Sequence, residues 1–299
     1  MSTPATTAAP AGNPLPDDLS AYAAEHGLKP VGVRPPLKVY IAESWKRRHF
    51  MVGVAASKAY ARNQGGYLGQ IWAVLTPALW ACVYLLVFGV LLRTDRGIHN
   101  YVGFLVVGVF LYHFSTAAIS NGAKSISSNQ DVIGSLQFPR VLMPGAVVLA
   151  ELFTLIPAIF VMLIVVLASG EPFRLTWFLL PIAVLFQWLF GTGIALIFAR
   201  LVVQVRDVGR LVPFFLRALM YTSGVFFSID HYVGKHATAG NILSHQPIAI
   251  YLELGRGALL AEDVTIKAST WAWGIGWALG TLLIGFVFFW RAEEEYARG

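Results

Sequence analysis

Charge is scarce in this chain: acidic and basic residues make up 13% of its 299 positions, against 57% that are hydrophobic. An ordinary soluble domain carries about twice that share of charge, so the deficit excludes a water-soluble fold. Cysteine is almost missing too. The single one, Cys82, rules out a disulfide within the chain and leaves the redox compartment unread; packing is its simplest role. The signatures of catalysis are likewise absent. No G-x-x-x-x-G-K-[ST] loop occurs, so there is no Walker site for ATP. There is no Cys and His set at zinc spacing, no G-x-S-x-G elbow and no H-E-x-x-H. The first 35 residues hold Asp17, Asp18 and Glu25 but no apolar signal core, so insertion is expected through internal spans.

What the chain has instead is long uncharged runs. From Leu68 to Leu92 there are 25 residues without a charge, longer than the roughly 20 a helix needs to cross the hydrocarbon core. Five more follow: Tyr101 to Ala123, with His113; Val141 to Gly170, with Glu151; Leu175 to Ala199; Leu211 to Ile229, with Arg217; and Ala268 to Trp290. The pattern predicts an all-α polytopic membrane protein with six spans. If the N-terminus is cytoplasmic, the inner flanks from Lys38 on carry 13 Lys and Arg and the outer flanks six. That asymmetry puts both termini inside. The net charge of +6 is spread over short connections rather than one face, which speaks against nucleic-acid binding.

Residues 1–36, rich in Ala, Pro and Thr, read as a disordered cytoplasmic tail. In residues 37–66, Ile41, Trp45 and Val52 can share a helical face opposite Glu43, Arg47, Lys58 and Arg62. That suits an amphipathic interfacial helix, with a solvated linker as the alternative. Residues 67–299 form the six-span domain. Between the last two spans, Pro247 to Gly255 is apolar but too short to cross, as in a re-entrant or interfacial helix.

Three junctions share a character: Leu68-Gly69-Gln70-Ile71-Trp72 through Pro77, Phe138-Pro139-Arg140 through Pro144, and Val205-Arg206-Asp207-Val208 with Pro213-Phe214-Phe215. Together with Gln246-Pro247 and Arg256 before the last span, they make residues 40–299 resemble the permease subunits of ABC-2 type polysaccharide exporters. The Ala, Gly and Arg-rich composition is most similar to the mycobacterial-type permease for lipid-linked galactan. The resemblance implies a bacterial cytoplasmic-membrane protein that forms a homodimer and joins two ABC ATPase subunits, which hold ATP and Mg, while this chain holds no cofactor. A lipid-linked glycan and membrane lipids are its other partners.

Each candidate residue also has an ordinary reading. Pro139 and Pro144 start a helix without breaking it, and Arg140 can reach a lipid phosphate or a substrate pyrophosphate. Arg206 and Asp207 point in different directions on a helix and suit ATPase coupling, as Phe138, Pro139 and Arg140 do; a plain positive-inside turn is the alternative. Glu151 and Arg217 lie inside spans, where facing lipid costs at least a few kcal/mol. They can pair with each other or line a polar conduit, or Glu151 can be buried neutral. His113 reads as a core histidine rather than a ligand. Phe226, Phe227, Tyr251, Trp271 and Trp273 either form the interfacial belt or stack on sugars leaving a glycan path. The reading that results is an ATP-driven polysaccharide exporter subunit without an active site of its own. A drug or lipid exporter, a membrane-embedded glycosyltransferase and a channel are its rivals. A glycosyltransferase would need paired carboxylates, and the spans offer only Glu151.

Overall fold

A computed structural model describes residues 34–62, 69, 71–91, 98–136, 138–229, 242–260, 267–294 and 296. The expectations for nearly all of the N-terminal tail and for Lys235 lie outside the described residues. Numbered along the chain, the helices are α1 (Leu37–Lys46), α2 (Arg48–Ala61), α3 (Ile71–Tyr84), α4 (Tyr101–Ala123), α5 (Gln130–Ser135), α6 (Leu142–Ala168), α7 (Leu180–Gln204), α8 (Val208–Thr222), α9 (Pro247–Leu259) and α10 (Ala268–Trp290). A π-helical stretch, Leu85–Leu91, prolongs α3, and a 3-10 turn, Leu175–Leu179, leads into α7. The described elements are all helical.

Among the described residues, four helices are long and apolar enough to cross a membrane: α4, α6, Leu175–Gln204 and α10. These are the second, third, fourth and sixth runs of the sequence. The first run becomes α3 and its π-helical extension, so its winding changes partway. The fifth differs most. Expected as one helix from Leu211 to Ile229, it forms instead a helix from Val208 to Thr222, about 22 Å at 1.5 Å per residue and short of a crossing. The helix stops because Gly224, at φ +67°, turns the chain where other residues would be strained. The expected single helix over residues 37–66 is two helices, parted at Arg47.

The centre of the bundle is α4, with nearly every residue from Phe104 to Ser115 buried; His113 is the exception. Asn100 caps it by accepting the Gly103 N–H at 2.9 Å, and its amide also donates to Ser169 Oγ at 2.8 Å beyond the end of α6. Small residues let the helices meet. Gly285 of α10 lies against the backbone of Gly193 in α7, where a Cβ would collide. On α6, Pro144 sits in the first turn, where its missing N–H is not needed. Along the same half of α6 lies α2, with buried Ala55 packed on Ala146 and Ala150. The stretch from Pro247 forms a short helix, α9, buried along almost its whole length against α4 and α7.

Candidate functional site

Glu151 is the tenth residue of α6, about 15 Å along its axis. Its side chain is 3% exposed, and both carboxylate oxygens are engaged. Arg62, just past the end of α2, grips it with both terminal nitrogens: Nη1 donates to Oε2 at 2.6 Å, and Nη2 donates to Oε1. Asn121 Nδ2 of α4 donates to Oε1 at 2.8 Å. The charged Glu151 is therefore neutralised by a two-pronged pair and a third hydrogen bond, which is what burial of a carboxylate demands. Of the alternatives for Glu151, the mutual pair with Arg217 is not the one made: its cation is Arg62. Arg217 is exposed on α8, and the cation that reaches Glu151 comes from 89 positions upstream.

Beside this pair lies a cavity of about 130 Å³ between α3, α4 and α6. Its polar lining is Arg62, His113, Glu151, Thr76 and Thr154, and its remaining wall includes Phe110 and Leu155. His113 and Glu151, expected separately, thus face one space. Several hydrogen-bonding groups and room for more than one water suit a hydrated pocket.

On α8 the buried positions are Gly209, Val212 and Leu216. Leu211, Phe214, Phe215 and Tyr221 are exposed, as is Arg217. Phe214, Arg217 and Tyr221 recur at helical spacing, so an arginine and two rings share an exposed side of α8, where the Tyr221 ring also lies 5.8 Å from that of Phe226.

The aromatic residues near the last connection divide by burial. Tyr251 is fully buried, its O–H donating to Gly274 O at 2.8 Å and its ring 5.4 Å from Phe190. Phe226 is buried against Phe88, with centroids 4.2 Å apart, and meets Tyr84 edge-on. Phe227 and Trp271 are half-buried, Trp271 edge-on to Phe186. Trp273 is exposed and edge-on to His245. Of the five, Trp273 offers the most open ring.

Among these rings the sequence reading gave Arg256 no physical role. It is 4% exposed and held by three carbonyls: Nε donates to Phe104 O at 3.0 Å, Nη1 to Gly224 O at 2.7 Å and Nη2 to Val225 O at 2.8 Å. Its guanidinium lies 3.4 Å from the centroid of Phe104, over Gly108, which leaves it room. It ties α9 to α4 and to the turn that ends α8. A lone arginine in an apolar segment too short to span was the available signal.

At the other end, Phe138 packs on Phe50 at 5.0 Å and Pro139 is buried. Arg140 Nη1 donates to Glu293 O at 2.6 Å, so this side chain is engaged within the chain rather than extended to a lipid. Arg206 and Asp207 are exposed between α7 and α8, with Asp207 3.6 Å from Arg210. Neither Glu293 nor its partner Tyr40 carried a sequence signal, because their meeting is made by the fold.

Comparison with known proteins gives this geometry a context. The ABC-2 type transporter family matches residues 54–258. The O-antigen export system permease protein RfbA of Myxococcus xanthus is 28% identical over 193 residues, 64% of this chain and 72% of that one. A protein of the same name from Klebsiella pneumoniae is 26% identical over 63% of this chain and 71% of its own length. The polysialic acid transport protein KpsM of Escherichia coli is 23% identical over 76% and 87% of the two chains. A family match that runs from α2 through α9, over most of the bundle, establishes that the chain belongs to the ABC-2 type transporters.

Proposed function

We propose that this chain is the permease of an ATP-driven exporter of a lipid-linked polysaccharide, O-antigen-like or galactan-like, powered by a separate ABC ATPase that holds ATP and Mg. The observation that carries the reading is the exposed side of α8 with Arg217 between two exposed rings. An arginine facing lipid at this depth costs a few kcal/mol, whereas a wet path between two copies of the chain removes that cost. Phe214 and Tyr221 beside it offer flat apolar faces to sugar rings, and Arg217 offers donors to their oxygens. The substrate class follows the names of the relatives, two of O-antigen export and one of polysialic acid transport.

In this reading the chain has six membrane segments. The first is α3 with its π-helical end. The fifth is α8, reaching only partway and finished by the turn that Arg256 holds. Both termini are cytoplasmic, and α1 lies on the membrane surface with Ile41 and Trp45 toward lipid. The ATPase meets the exposed Arg206 and Asp207 and the connection through α5 to Phe138-Pro139-Arg140. Trp273, with the half-buried Trp271 and Phe227, stands at the exit. An enzymatic rival is disfavoured by Glu151, whose oxygens are saturated by Arg62 and Asn121.

Depletion of the protein in its host tests the reading. Complete lipid-linked glycan should accumulate on the cytoplasmic face while surface glycan falls, as measured by glycolipid extraction and surface labelling. Loss or shortening of the polymer itself would indicate an enzyme instead.

A further inference from the structure

Glu293 lies just past the end of α10 and is 6% exposed. Its carboxylate gathers donors from two distant parts of the chain. Oε2 accepts the Tyr40 O–H of α1 at 2.7 Å, across 253 positions, and Oε1 accepts the Arg140 backbone N–H at 3.1 Å, across 153. The Tyr40 oxygen in turn accepts the Val141 N–H at 3.1 Å. Arg140 Nη1 closes the set with its bond to Glu293 O, 3.8 Å from Oε1. Val141 is the N-cap of α6 and supplies no side-chain cap of its own. Free N–H groups at a helix start need acceptors, and negative charge is favoured there. Here the acceptors come from α10 and α1. Apolar packing surrounds them: Tyr40 is 5.9 Å from Phe286, and Tyr296 stacks on Phe289 at 4.5 Å.

We infer that Glu293 is a positioning residue that caps α6 from outside and locks the Phe138-Pro139-Arg140 turn to α1 and the end of α10, so that the three move as one body. A push received by the connection before this turn is then delivered to α6 instead of being absorbed by a loose hinge. The transport consequence rests on the permease reading; the lock itself does not.

The test reads both separately, in full-length protein and in cells. Hydrogen exchange is followed at the peptide containing Arg140 and Val141, and glycan export is measured beside it. Glu293→Ala removes both acceptors and should speed exchange there by about tenfold and cut export to a similar extent, with membrane insertion preserved. Glu293→Gln keeps an oxygen for one donor and a polar group for the rest, and should hold both readouts within about twofold of the parent. If Glu293→Ala does not accumulate, Tyr40→Phe, which deletes one hydroxyl, should speed exchange by roughly threefold. Unchanged exchange in the alanine variant, or in Tyr40→Phe when that variant stands in, overturns the lock. Faster exchange with export intact overturns the positioning role. A parent protein that exports no glycan defeats the permease reading alone, because the exchange arm still judges the lock.

Discussion

Single residues carry the fold at the places where charge is buried. Removing Arg62 leaves the buried Glu151 carboxylate without its cation; a fully buried pair loses about 3 to 5 kcal/mol in this way, and the 36% exposure of Arg62 brings the loss here below that range. Arg62→Ala should therefore lower the thermal stability of purified protein sharply, and Arg62→Met with Glu151→Leu should recover most of it. A double variant no better than the single would show that the pair is not the unit. Glu293 gives a pH dependence. Burial holds its carboxyl above the usual carboxylate range, against the opposing hydrogen bonds of Tyr40 and Arg140 and the Arg140 charge. A raised folded value means that the folded chain binds this proton more tightly than the unfolded chain. The proton-linked increment to stability, apart from the hydrogen bonds of the carboxylate, is then complete below the unfolded carboxylate value, about 4.3, and is lost as pH rises through the higher folded value. Glu293→Gln should remove that slope in stability measured against pH, and an unaltered slope would assign it to another group.

Elements differ in how well the sequence announces them. The apolar runs at Tyr101, Val141, Leu175 and Ala268 became helices long and apolar enough to cross a membrane, because length and hydropathy decide such segments almost alone. The run at Leu211 did not, because the turn at Gly224 ends its helix after 15 residues. The short apolar stretch at Pro247 was legible from its length. Partners were not legible. Arg62 with Glu151, and Tyr40 with Glu293, meet across long separations that no local pattern encodes. Aromatic position likewise failed to tell Tyr251, buried in the bundle, from Trp273 on its surface. Their variants should separate accordingly. Phe214→Ala with Tyr221→Ala, and Trp273→Ala alone, should reduce glycan export several-fold while insertion and stability hold. Tyr251→Ala should instead empty a packed site and destabilise the protein by about 3 to 5 kcal/mol. Equal export in the α8 and Trp273 variants would return those rings to the lipid-facing belt.

For the whole molecule, the described residues form a helical bundle fastened at three levels: Arg256 at the turn after α8, Arg62 with Glu151 beside the polar cavity, and Glu293 at the start of α6. These fastenings leave α8 exposed on one side and the turns at Arg206 and α5 exposed on another. In the proposed reading, the chain, which has no phosphate-binding loop, receives work from its ATPase through such a surface. The most direct measurement is transport in proteoliposomes that contain this chain, its partner ATPase and lipid-linked glycan. The account predicts ATP-dependent movement of the glycan across the bilayer, lost in Asp207→Ala together with glycan-stimulated ATP hydrolysis, although both subunits still assemble. Movement without ATP, or none with a fully assembled complex hydrolysing ATP, would contradict it.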